Sequence, residues 1–369
     1  MRWPLIALGV VILFVIAGAV ALVLGIGPLA RPVAAPSVVF AAISRSNDEA
    51  DAHEIEAVDL TAGTRALFDA GSRITAMALS ADRRSLYVGV EHGKILLLDA
   101  TTGSQFGAID LGGPNDLGGP KVVSLVPTAD GHTLFAVTDC LATGSCSVAN
   151  VQSSVVPIDL STKKAGAPIT FALTAGPAVL RDDALVVPLG NNKQLEVAFV
   201  DVNTRALRST LSIPLRGSFG IPAAFGLGGG ETGIVAFDVG AGGKIGGNEV
   251  VRVFVLDDPS HWRDVELEAP SFLPRSPSSD EPFRLDLEAA VAADGTVHVC
   301  ATVGNLSRRY VVSAELKGAV AGSDCGFLVG GDKILMTRRG VAQLLVLDDR
   351  SGTAVRALAL AGVPAELAH

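Results

Sequence analysis

The residues of this chain best suited to acid–base or metal chemistry are its histidines and a recurring set of aspartates. The histidines are His53, His92, His132, His261, His298 and His369. A metal-binding pair usually sits at a short spacing that brings two imidazoles to one side of an element. No H-x-H or H-E-x-x-H occurs here, and no C-x-x-C stands in for one. No G-x-S-x-G elbow presents a serine nucleophile. The glycine-rich pieces 226–230 and 240–247 do not match G-x-x-x-x-G-K-[ST] and open no helix, so they read as hairpin connections rather than phosphate cradles. Asp59, Asp99, Asp159, Asp201, Asp257 and Asp348 each end an apolar run before a polar turn. In that place a carboxylate accepts backbone N–H bonds of the turn, so these six are expected to be structural. No catalytic residue and no metal site is expected.

The elements around those aspartates are short strands. Residues 74–109 hold four apolar runs, Ile74–Leu79, Leu86–Val90, Ile95–Leu98 and Phe106–Ile109, separated by turn residues. The third run and its turn recur at Ala57-Val58-Asp59, Leu97-Leu98-Asp99, Pro157-Ile158-Asp159, Phe199-Val200-Asp201, Val255-Leu256-Asp257 and Val346-Leu347-Asp348, with a degenerate copy at Val312–Leu316. A second marker, the turn after the first strand, recurs at Ala81-Asp82-Arg83, Ala129-Asp130-Gly131 and Ala293-Asp294-Gly295. Repeats of this kind stack because one four-stranded unit cannot bury both its faces.

The stretch from Ser80-Ala81-Asp82 through Leu86-Tyr87-Val88-Gly89 to Leu98-Asp99-Ala100-Thr101-Thr102-Gly103 resembles the YVTN-type β-propeller repeat of bacterial extracytoplasmic proteins. The resemblance covers residues 55–170 well and the remainder by spacing. It implies an all-β fold, a seven-bladed β-propeller of four-stranded antiparallel blades. Quinone-dependent propeller dehydrogenases carry tryptophan docking motifs, and with Trp3 and Trp262 as the only tryptophans that cofactor is not expected. No other cofactor is expected either. The first blade begins with its second strand, Val38–Ile43, followed by Ile55–Leu60 and Ala66–Phe68. Its missing inner strand is expected from the segment after residue 361.

Ahead of the repeats, residues 3–30 contain no charge, and Leu5 to Ile26 is almost wholly apolar. A bilayer core takes about 20 apolar residues in a helix. Two small-residue sites offer signal-peptide cleavage, but Ala17-Gly18-Ala19 lies inside the apolar run and Val33-Ala34-Ala35 is followed by Pro36. Residues 1–30 are therefore read as an N-terminal transmembrane signal-anchor, 31–37 as a linker and 38–369 as the propeller. The linker reaches roughly 25 Å at most. Arg2 before the span and Arg31 after it give a weak orientation, with the N-terminus inside. Cys140, Cys146, Cys300 and Cys325 all lie in the body, an even count that fits disulfides outside the cytoplasm. Three pairings are open, and four buried thiols are the alternative to any of them. Cys140–Cys146 would close a local loop, and Cys300–Cys325 would join one blade to the opening of the next, contributing about 2.4 and 3.5 kcal/mol in the chain-entropy model.

The net charge of −9 and the lack of basic runs argue against nucleic acid as a partner. In a meander of this kind the b–c and d–a connections meet at one face. The long insertions, 44–53, 112–120, 140–154, 240–248 and 269–283, all fall there. Their polar residues Asn115, Asp116, Lys244, Asn248, Arg275, Asp280 and Glu281 are the candidate binding contacts. The resulting expectation is a non-catalytic, membrane-anchored extracytoplasmic propeller that binds a protein, cell-envelope or small-molecule partner. The alternatives are a hydrolase, since propellers resembling this one include lactone hydrolases, and a cell-envelope scaffold.

Overall fold

The computed structural model describes residues 37–46, 51–112, 119–139, 153–190, 194–213, 222–226, 231–238, 250–258, 261–267, 285–292, 294–303, 306–312, 319–321, 325–326, 328–329, 334–338, 340–348 and 354–368. The segment read as a membrane anchor and most of the linker lie outside these residues. Among the described residues no helix is long and apolar enough to cross a membrane.

Seven antiparallel sheets succeed one another along the chain, five of four strands and two of five, with strand positions here called a to d from the axis outward. The best-formed blade is Ile74–Leu79, Ser85–Val90, Lys94–Asp99 and Gln105–Asp110. Its strand b is buried at every residue and its strand d is mostly exposed. Strand b lies between the two neighbouring blades, so both faces are covered and the sequence reads as a continuous apolar run instead of alternating. Thr133–Asp139 and Ala184–Gly190 are buried throughout for the same reason. The a strands of successive blades pack side by side around the axis.

The core is distributed between blades. Leu86, Val88 and Leu98 of the second blade pack with Phe40, Ile55 and Phe68 of the first. Leu335, Leu344 and Val346 of the seventh pack with Val39, Ala41 and Ile43 of the first. The ring closes as expected: Val363–Ala368 pairs antiparallel with Val38–Ser44, with Leu367 opposite Ala41 and Glu366 opposite Ala42.

Four of the repeat aspartates act as turn residues. Asp59 accepts the N–H groups of Thr61 and Ala62 at 2.8 and 2.9 Å, Asp99 those of Thr101 and Thr102, and Asp159 those of Ser161 and Thr162. Asp201 does the same for Asn203 and Thr204. At Asp59, Asp159 and Asp201 these donors stabilise the ionised form, with the Ser161 hydroxyl the largest influence on Asp159, whose pKa falls to about 2.

Two blades depart from the simple meander. Ser153–Asp159 pairs on its outer side with both Lys164–Ala165 and Ile169–Phe171. In the fourth blade the inner strand is split into Thr174–Ala175 and Val179–Arg181, both pairing with Ala184–Gly190. Pro177 lies in the gap, where its ring leaves no N–H to donate, and its carbonyl instead accepts from Ala224 of the next blade.

Candidate functional site

Strand direction decides which connections share a face. The a–b and c–d turns, such as 80–84 and 100–104, lie at one end of the ring, and the b–c and d–a connections at the other. The intervals 111–120 and 268–284 are d–a connections, and 140–152 and 239–249 are b–c connections. All four belong to the same end. The candidate contacts Asn115, Asp116, Lys244, Asn248, Arg275, Asp280 and Glu281 lie outside the described residues, as do Cys140 and Cys146. The described part of this rim is polar. Arg45 Nε donates to Glu54 at 2.6 Å, Arg73 pairs with Glu91 at 3.4 Å, and His53 lies 2.7 Å from Asp51.

The axis holds a second feature. Glu366 pairs with Ala42, Glu288 with Cys300, Ser124 with Val137 and Ala76 with Gly89. Counted from the a–b end, these four inner-strand residues occupy one register position. Two glutamates therefore stand at one level of the ring, where Ala76 and Ser124 are small. Glu366 retains some exposed surface yet is enclosed by protein, and burial pushes its carboxyl well above the ordinary glutamate value of 4.5. The charge of Glu288 pushes it further, and Lys121 opposes. These three side chains come from blades one, six and three, so their charges meet across the axis. Lys121 opens its strand and stands nearer the mouth with the long connections. A carboxyl whose proton is held more tightly can donate a hydrogen bond or give up that proton when a cation arrives.

Sequence patterns missed this group because its members are far apart in the chain. The available signal was a single glutamate inside an apolar inner strand, in LDLEAAV and VPAELA. Of the described histidines, His298 is buried in strand Val297–Val303, while His92 occupies a left-handed turn position at φ 64°. Among the described residues no group of three or more His, Cys, Asp or Glu could hold a metal ion. Of the cysteines, Cys300 and Cys325 form a disulfide with a Cα separation of 5.9 Å, tying strand b of the sixth blade to the segment that opens the seventh.

The fold defines the class of protein: a seven-bladed β-propeller. No family model and no curated protein matches the sequence. Among solved structures it is similar to hydrazine synthase of Kuenenia stuttgartiensis, with 12% identity over 84% of this chain and 95% of that one and a TM-score of 0.61. The RRP9 WD40 repeats match at 10% identity over 80% and 83%, TM-score 0.55. BamB from Moraxella catarrhalis matches at 12% identity over 90% and 86%, TM-score 0.50. At these identities the likeness is one of fold.

Proposed function

We propose that this chain is a non-catalytic binding propeller of the YVTN repeat type. Residues 1–30 hold it at the outer face of the cytoplasmic membrane as a single-pass anchor, with the N-terminus inside. It takes a protein or small ligand of the cell envelope on the face where the b–c and d–a connections meet. The observation that carries this reading is the gathering of the four longest connections at one end of the ring, with a rim of charged side chains beneath them. A short linker keeps the body within roughly 25 Å of the membrane.

The test is photo-crosslinking of the full-length protein in native membranes, with the crosslinker at Asp116, Lys244 or Asp280 and, as a control, at Ala81 or Ala129 on the opposite face. Capture of the same species from the first three positions and not from the last two is the expected result. Equal capture from both faces, or none from either, overturns the binding face. Protease digestion of spheroplasts reports the topology separately, and protection of the body would overturn the extracytoplasmic placement.

One observation favours the hydrolase reading: Glu366, whose pKa burial raises, stands near a second glutamate, Glu288, on the axis, and two carboxyls in unlike surroundings are what general acid–base hydrolysis uses. A lactone and ester screen comparing the protein with its Glu366→Gln variant separates the two. Turnover that Glu366→Gln abolishes would replace the binding reading.

A further inference from the structure

Between the sixth and seventh blades stand two arginines that have no acidic partner among the described residues. Arg309 lies in strand c of the sixth blade, directly opposite Cys300, and is only 5% exposed. Arg338 ends strand b of the seventh, two residues beyond Met336. Met336 and Cys300 belong to the same inter-blade core, and Arg309 Nη1 reaches the Met336 sulfur at 3.8 Å. Arg338 bears on the charge of Arg309, so the two guanidinium groups stand near each other. The Nε atoms of both are buried without a hydrogen-bond partner.

Arg84 also has a buried Nε without a partner, so what sets this place apart is that two such guanidinium groups act on one another, while several other arginines are matched. Arg208 is held by Asp183 and Asp201, and Arg65 by Glu56. Arg83, Arg181 and Arg356 donate to the carbonyls of Val38, Leu256 and Leu60. A guanidinium keeps its proton in a protein, so burial without an anion leaves an uncompensated charge. Burial, and then the neighbouring Arg338, lowers the pKa of Arg309, the direction expected of two cations in one enclosed place.

We propose that Arg309 and Arg338 form a binding site for a divalent oxyanion of the phosphate or sulfate kind. A carboxylate has two oxygens and is filled by one guanidinium fork; a tetrahedral oxyanion has oxygens for both forks and a charge that neutralises both. Arg338 stands at the end of its strand next to the b–c connection, so the anion enters from the face with the long connections. The walls are held in place. The Cys300–Cys325 disulfide ties the two blades beside Arg309, and Cys325 N–H donates to Ser307 Oγ at 2.9 Å.

The experiment uses the full-length protein in detergent. Equilibrium dialysis with radiolabelled phosphate is run beside thermal unfolding in phosphate, sulfate or chloride at matched ionic strength. Saturable phosphate binding is expected, together with a rise in melting temperature that chloride does not reproduce. Arg338→Gln should weaken binding tenfold or more. Arg309→Leu should abolish binding while leaving the anion-free melting temperature unchanged or higher, because it removes an unpaired buried charge. If Arg309→Leu does not fold, the half-buried Arg338→Gln still decides the matter. Glycerol phosphate binding tighter than inorganic phosphate assigns the site to a phosphate headgroup, and the reverse order to the free anion; either supports it. No saturable binding to the wild type, or unchanged binding in Arg338→Gln, overturns it.

Discussion

The carboxylate of Glu56 accepts a hydrogen bond from the backbone N–H of Ala361 at 2.6 Å, across a sequence separation of 305 residues. Glu56 is 1% exposed and also receives Arg65 Nη1 at 3.3 Å. It sits in strand c of the first blade, where the chain enters Val363–Ala368 to supply that blade's inner strand. One carboxylate thus fixes the point at which the ring is closed.

Glu56→Ala leaves the Ala361 N–H without this acceptor and the Arg65 head without this anion. A loss of about 1.5–3 kcal/mol is expected in urea unfolding followed by circular dichroism. Removal of residues 361–369 is more severe. It withdraws Val363, Leu367 and Ala368 from the core and bares the edge of Val38–Ser44, so a single cooperative transition should be lost. An unchanged unfolding curve for the truncated chain would show that the closing strand does not hold the ring.

Glu366 sets a pH dependence of opposite sign to that of the turn aspartates. Its folded pKa lies above the unfolded one, so the folded state binds more protons in the window between them. Stability contributed by this group is greatest below the ordinary glutamate pKa and falls as pH rises towards the folded value. Glu366→Gln, neutral at every pH, should flatten that fall and raise stability at neutral pH. Denaturation midpoints of the two proteins between pH 4 and pH 8 report it, and parallel profiles would refute the assignment.

The Cys300–Cys325 bridge closes a sequence separation of 25 and should contribute about 3.5 kcal/mol. Reduction is best read in a Cys140→Ser/Cys146→Ser background, so that only this bond changes. A mass increase on reduction establishes the bond, and the drop in unfolding free energy gives its contribution. A drop well below 1 kcal/mol would mean that packing around Leu328 and Met336 already holds the two blades together.

The blade count was legible because Asp59, Asp99, Asp159 and Asp201 mark the same turn, and a carboxylate is needed there to cap the same N–H groups. The closing strand was legible by subtraction, since Val38–Ser44 had no partner on its inner side. The split inner strand at Gly176 and Pro177 was not, because its pairing is with Ala184–Gly190, a register that no local pattern states. Glu366, Glu288 and Lys121 were hidden for a related reason. Each is one charged residue among apolar neighbours, and only closure of the ring brings their charges together. Arg309 and Arg338 likewise belong to different blades and share nothing in the sequence.

The strand order has a consequence during synthesis. Val38–Ser44 is made early, and the strand that covers its inner edge, Val363–Ala368, is made last among the described elements. At typical rates of chain growth the interval is roughly 15–65 s. Through that time the first blade offers an open edge of apolar residues, a template for pairing with another nascent chain. The step that completes this propeller is thus also the one that ends its exposure to misassembly, and factors that shield unpaired edges should matter most for its earliest strands.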